Sequence, residues 1–236
     1  MTSKERILKV FRGEIPDRVP IHFGFNSYMG GMGESIYRHE SFHESLAYMD
    51  QHTDIIVQMT PKFTQGLGMF LTATESVEKD ITKWSEGKST YIKTVIHTPK
   101  GDLQKLERID EDVATVWHLE HVIKSDEDIN RFLSIPYIMP IPDVSDIKAK
   151  IDQIGDRGMV FISLLDPIRE VNELMAFDEF MIRCATDIEP VYHLMDIMHQ
   201  RVINIQRQIL ELQLSPVIVL NGIEYATPPY VSRGTF

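Results

Sequence analysis

Ser215-Pro216-Val217-Ile218-Val219-Leu220-Asn221-Gly222-Ile223-Glu224-Tyr225 is the stretch on which the reading of this chain turns. Val217 to Leu220 is an unbroken apolar run that follows a long helical pattern. Bounded by Pro216 and Gly222, it reads as a parallel strand buried on both faces. Asn221, Glu224 and Tyr225 come directly after it. In α/β sheets the carboxyl ends of the strands carry binding and chemistry. Glu224 is therefore a catalytic candidate, and Asn221 and Tyr225 are substrate-binding candidates.

Working back, Asp187 to Leu214 is the strongest helix of the chain. Val191, Leu194, Met198, Val202, Ile205, Ile209 and Leu212 form its apolar stripe. Gly158 to Leu164 is a further buried strand, and Val144 to Ile154 before it is a helix stopped by Gly155. Thr53 to Met59 is another strand, preceded by a helix over Ser41–Gln51. Val19 to Phe23 reads as the first strand, with Pro20 tolerable only at an edge. The N-terminal helix opens on the capping box Thr2-Ser3-Lys4-Glu5 and closes at Gly13.

One region breaks this alternation. From Asp80 to Arg108 apolar and polar residues alternate around the turn Pro99-Lys100-Gly101-Asp102, the pattern of an antiparallel hairpin. Thr115 to Lys124 extends the same sheet, and Ser125 then caps a helix. Four parallel strands alternating with helices predict β/α units. A closed barrel needs eight such strands and about 250 residues. The expectation is an α/β fold of the (β/α)8 TIM-barrel type. It is an incomplete barrel of about four units in a single domain, residues 1–236, with an inserted β region at about 80–124.

Composition sets outer bounds. At 236 residues with 43% hydrophobic content the chain has ample material for a core. Its net charge of -11 argues against nucleic acid as a partner, which calls for a basic patch. The single cysteine, Cys184, permits no intramolecular disulfide. No apolar run approaches a membrane span and no signal-peptide core opens the chain, so a cytoplasmic location is expected.

Four segments occur in a fixed order: an opening from Thr2-Ser3-Lys4-Glu5-Arg6 through Pro16-Asp17-Arg18-Val19-Pro20, then Thr98-Pro99-Lys100-Gly101-Asp102-Leu103, then Glu120 to Asp128, then Glu224-Tyr225-Ala226-Thr227-Pro228-Pro229. Together, and in family order, they resemble the uroporphyrinogen decarboxylase family, whose superfamily includes corrinoid- and zinc-dependent methyltransferases. The resemblance implies a (β/α)8 barrel, with this chain covering roughly its first half.

The departures choose the branch. The decarboxylases carry arginines after the first strand to grip porphyrinogen carboxylates, a role suited to bidentate Arg. Here His22 to Gly30 contains none, and the region of the family's catalytic aspartate reads Gln58-Met59-Thr60-Pro61-Lys62. Porphyrinogen decarboxylation is disfavoured. The methyltransferase branch binds zinc through a His-x-Cys pair and a later Cys, on strands beyond the fourth. The resemblance therefore places those ligands past Phe236, with no metal ligand in this chain. Zinc and a corrinoid partner protein belong to full-length relatives.

Each candidate carries two readings. His22, at the end of the first strand, is either catalytic or a hydrogen-bonded core residue. Asn26 and Tyr28 either contact substrate or serve turn and packing roles. Asp166 either binds substrate or caps a helix. Glu224 is a base, a substrate acceptor or a loop carboxylate. Asp54 reads as a cap, and His118 and His121 as structural. His22, Asn26, Asp166, Asn221 and Glu224 are expected on a common face. The implied function is methyl transfer from a corrinoid or other methylated donor to a thiol. The alternatives are a non-catalytic fragment binding a ligand or partner, and an intact decarboxylase. Unpaired strand edges predict homo-oligomers or other association.

Overall fold

The computed structural model describes residues 1–24, 26, 28, 39–73, 77–113, 115–221, 230 and 232. In chain order the first elements are α1 (Ser3–Phe11), α2 (His43–His52), β1 (Ile55–Met59) and the two-residue β2 (Lys62–Phe63). Then come β3 (Lys79–Glu86), β4 (Ser89–Ile96), β5 (Leu103–Asp110), β6 (Val116–Glu120) and α3 (Asp126–Leu133). The two-residue β7 (Pro142–Asp143), α4 (Ser145–Ile154) and β8 (Gly158–Leu164) follow. Helices α5 (Pro167–Asn172), α6 (Phe177–Thr186) and α7 (Glu189–Glu211) precede β9 (Ile218–Leu220). The chain forms two compact units. The first comprises Met1–Pro61, Asp143–Leu164 and Leu210–Val219; the second comprises Lys62–Pro142, Leu165–Ile209 and Leu220–Phe236.

The first unit is built on a sheet of order β1-β8-β9. β1 and β8 run parallel, in register from Ile55 opposite Gly158 to Met59 opposite Ile162. All seven residues of β8 are buried, as a strand covered on both faces requires. β9 lies at the edge of the sheet and meets that expectation only in part: Leu220 is 53% exposed. Ile7, Met159, Phe161 and Val217 make a core with Leu8, Ile56 and Val219 against it. Each such side chain contributes on the order of 1.5–3 kcal/mol when fully buried. α1 delivers Ile7 because its start is fixed. Glu5 N–H donates to Thr2 Oγ1 at 3.2 Å and Thr2 N–H to Glu5 Oε2 at 2.9 Å, the reciprocal capping box.

The expected first strand is absent. Residues 19–23 are irregular, with Val19 78% and Ile21 49% exposed. Pro20 has no N–H to offer a ladder. Ile21 is instead tied to one residue: its N–H donates to Asp54 Oδ2 at 3.0 Å and its carbonyl accepts from Asp54 N–H at 2.7 Å. The count of four core strands therefore falls to three in one sheet. Among the described residues there is no closed barrel; the fold is mixed α/β with parallel and antiparallel pairing.

The second unit contains the expected antiparallel insertion as a four-stranded sheet of order β3-β4-β5-β6. Trp84 lies opposite Tyr91, and their rings stack with centroids 5.3 Å apart. At the turn after β4, Gly101 takes φ 116°, and Thr98 Oγ1 donates to its carbonyl at 2.6 Å. Ser125 caps α3 by accepting from Asp128 N–H at 3.2 Å. Along α7, Val191, Leu194, Met198, Val202, Ile205 and Ile209 are buried as the stripe predicts, and Arg201 is buried among them. Leu212 lies beyond the helix and is exposed. No helix among the described residues is long and apolar enough to cross a membrane.

Candidate functional site

In the first unit the polar chemistry converges on Asp54. This residue follows α2 closely and is fully buried. Arg6, on the first helix, donates to its Oδ1, and Arg18 Nη1 donates to Oδ2 at 2.9 Å. Arg6 also reaches Asp17, with Nε to Oδ1 at 2.7 Å and Nη2 to Oδ2 at 2.9 Å. Burial alone would raise the Asp54 pKa, but the Ile21 N–H bond, a Ser3 contact and Arg6 outweigh it, and the net shift is downward. Hydrogen bonding from Arg6 holds Asp17 down at about 2. The Arg6 guanidinium is raised in turn, first by Asp17.

Asp54 is thus not a helix cap. It is the buried anchor of an ion network that ties Arg6, Arg18 and Ile21 together. The network has no local signature in the sequence, because its members lie 36 and 48 positions apart.

The predicted site residues of this unit take unequal roles. His22 is exposed and makes no hydrogen bond among the described residues. Asn26 is 1% exposed; its Nδ2 donates to the Ile56 carbonyl at 3.3 Å and its Oδ1 accepts from Tyr28 N–H at 3.1 Å. The second contact is an Asx-type turn, so the Asn26 amide is engaged with backbone. Tyr28 is half-buried.

In the second unit Asp166 begins α5. Its Oδ1 accepts from Ile168 N–H at 3.0 Å and Arg169 N–H at 3.4 Å, and Pro167 occupies the first helical turn. Asp166 therefore serves as the helix cap. It also stands at the wall of a cavity of about 400 Å³ formed by α5, α6 and α7, with Phe180, Cys184, Val191 and Met195 as further lining. Burial pushes the Cys184 thiol up, so it stays protonated near neutral pH. Asn221 is exposed just after β9. Glu224 and Tyr225 lie outside the described residues.

The remaining histidines of interest are on the antiparallel sheet and its margins. His118 Nδ1 is 3.5 Å from Glu107, and the His118 and His121 rings are 5.3 Å apart. Burial moves the His121 pKa down. His97 bridges Asp102 at 2.9 Å and Asp80 at 3.1 Å, and both bonds raise its pKa.

Arg201 does not stand out in the sequence, where it is one polar residue beside the stripe of α7. Its Nη1 donates to the Phe70 carbonyl at 2.6 Å, and its guanidinium lies 5.2 Å from the Tyr137 ring centroid. No carboxylate pairs with it among the described residues, and burial lowers its pKa.

Among the described residues no three His, Cys, Asp or Glu side chains are grouped to hold a metal ion. The donor set does not fit a zinc-thiolate centre, since two cysteines are needed and the sequence has one, held as a thiol. No family model, no curated protein and no solved structure matches the chain.

Proposed function

We propose that this chain is part of a uroporphyrinogen decarboxylase-like β/α-barrel protein of the methyltransferase-like branch, acting in methyl transfer from a corrinoid to a thiol. One observation carries the reading. The strands β1, β8 and β9 lie side by side in chain order, with β1 and β8 parallel and helices between them. A barrel wall adds strands in chain order, whereas a doubly wound sheet reverses its order at a switch point. The segment that carries the resemblance also has a physical role, since Arg6, Asp17 and Arg18 belong to the network around buried Asp54.

In this reading a bound corrinoid would supply the methyl group: the thiol would give its proton to solvent, and its sulfur would displace the corrinoid, which would keep the electron pair of the broken cobalt–carbon bond. No step is assigned to the zinc-thiolate centre that the resemblance implies. The outer strands β1 and β9 each leave one edge open among the described residues, which favours association with another copy or a complementary segment.

The test uses the full protein carrying this chain, with methylcobalamin, a small thiol and zinc. Loss of the cobalt–methyl absorption with formation of the methyl thioether is the expected result. Decarboxylation of uroporphyrinogen without methyl transfer would overturn the assignment.

A further inference from the structure

We propose that the cavity walled by α5, α6 and α7 binds a small molecule with an apolar body and a protonated amine. Its volume of about 400 Å³ falls within the range of about 300–1,000 Å³ found for small-molecule sites. The wall is mainly apolar, with Phe180, Val191 and Met195 among its lining residues. Such a lining takes up an aromatic or branched aliphatic body.

The charge comes from Asp166. Its Oδ1 already accepts two backbone N–H groups of α5, which fixes the carboxylate in place. Its Oδ2 accepts nothing among the described residues, and no Lys, Arg or His forms an ion pair with it there. A positioned carboxylate beside an apolar wall favours a cation that can donate to it. Tyr192 and His199 also line the cavity; together with Met195 they lie at positions i, i+7 and i+3 on one face of α7. This inference concerns the second unit alone and does not rest on the methyl-transfer reading.

Cys184 lines the same cavity and is the only cysteine in the sequence, so its alkylation by iodoacetamide at pH 8 reports on occupancy. Three probes of similar size separate the contributions: 2-phenylethylammonium, neutral 2-phenylethanol and anionic 3-phenylpropanoate. The ammonium is expected to slow alkylation at about one-tenth the concentration the alcohol needs. The carboxylate is expected to give no protection. Asp166→Asn retains a capping side chain and should bring the ammonium and the alcohol to the same midpoint. Equal protection of the wild-type protein by all three probes would overturn the proposal, and so would protection by none. The wild-type comparison stands even if the variant fails to fold.

Discussion

Arg6 and Asp54 meet across 48 positions of sequence, with the guanidinium of the first helix donating to a carboxylate that has no exposed surface. Arg18 and the Ile21 N–H donate to the same carboxylate. Removing the carboxylate leaves Arg6 buried without its deeper partner. Asp54→Ala is expected to destabilise the protein by about 3–5 kcal/mol, the usual cost of breaking a buried pair from one side. Arg18 is far more exposed, so Arg18→Ala should cost about 1 kcal/mol or less. Urea titration of the two variants measures both. Equal losses would mean that Asp54 is not the anchor of the network.

The same network sets an acid limit. Asp54 and Asp17 both have pKa values below their ordinary range in the folded state, with Asp17 at about 2. A carboxylate depressed on folding contributes stability above its unfolded pKa of about 3.9 and loses it as pH falls through the folded value. The melting temperature should therefore fall between about pH 4 and pH 2. The fall should be shallower in Asp54→Asn, which has no charge to lose. Circular dichroism melts across that range check this; parallel curves for the two proteins would exclude Asp54 as a source.

Much of the local structure was legible because short-range chemistry determines it. Thr2 and Glu5, Ser125 and Asp128, and the turn at Thr98–Gly101 are each encoded within four residues. The apolar run of β8 and the stripe of α7 are likewise periodic signals. The false first strand shows the limit. Val19 to Phe23 has strand composition, yet Ile21 bonds to Asp54, 33 positions away, and not to a ladder. The partners of Asp54 are set by chain folding alone, and so is the cavity at Asp166, whose wall joins residues from 166 to 199. Only the capping half of Asp166 could be read from its Asp-Pro step.

Arg201 offers a contrast with Arg6, since both are buried to the same degree. Arg6 gains two carboxylates, while Arg201 has a backbone carbonyl and aromatic ring faces. Replacing a buried cation that lacks an anion relieves its desolvation and offsets the lost hydrogen bond. Arg201→Met should change stability by less than about 1 kcal/mol, against about 3–5 kcal/mol for Arg6→Met. A large loss at Arg201 would point to an anionic partner for it.

Asn26 and His22 separate structure from chemistry. Asn26 is buried and satisfies two backbone groups, so Asn26→Ala should cost about 1–3 kcal/mol. His22 is exposed, and His22→Ala should fall within about 0.5 kcal/mol of the wild type. If His22 takes part in methyl transfer, its substitution lowers the rate while the melting temperature stays fixed. A drop in both would place His22 in the fold rather than in the reaction.

Gly158 fixes how closely β1 and β8 approach. A Cβ added there would collide with the Ile55 carbonyl oxygen and lie 2.7 Å from the Ile55 Cβ. Backbone cannot yield as the far end of a side chain can, and Ile55 is held opposite Gly158 by the strand register. Gly158→Ala should therefore destabilise by about 3 kcal/mol, at the upper end of overpacking costs. Gly24, where an added Cβ meets nothing within 4 Å, is the matched control. Gly24→Ala should stay within about 0.5 kcal/mol of the wild type. Denaturant titration of the two variants decides the matter: a Gly158→Ala protein as stable as the control would be incompatible with the Ile55–Gly158 register and hence with the parallel pair that supports the barrel-type reading.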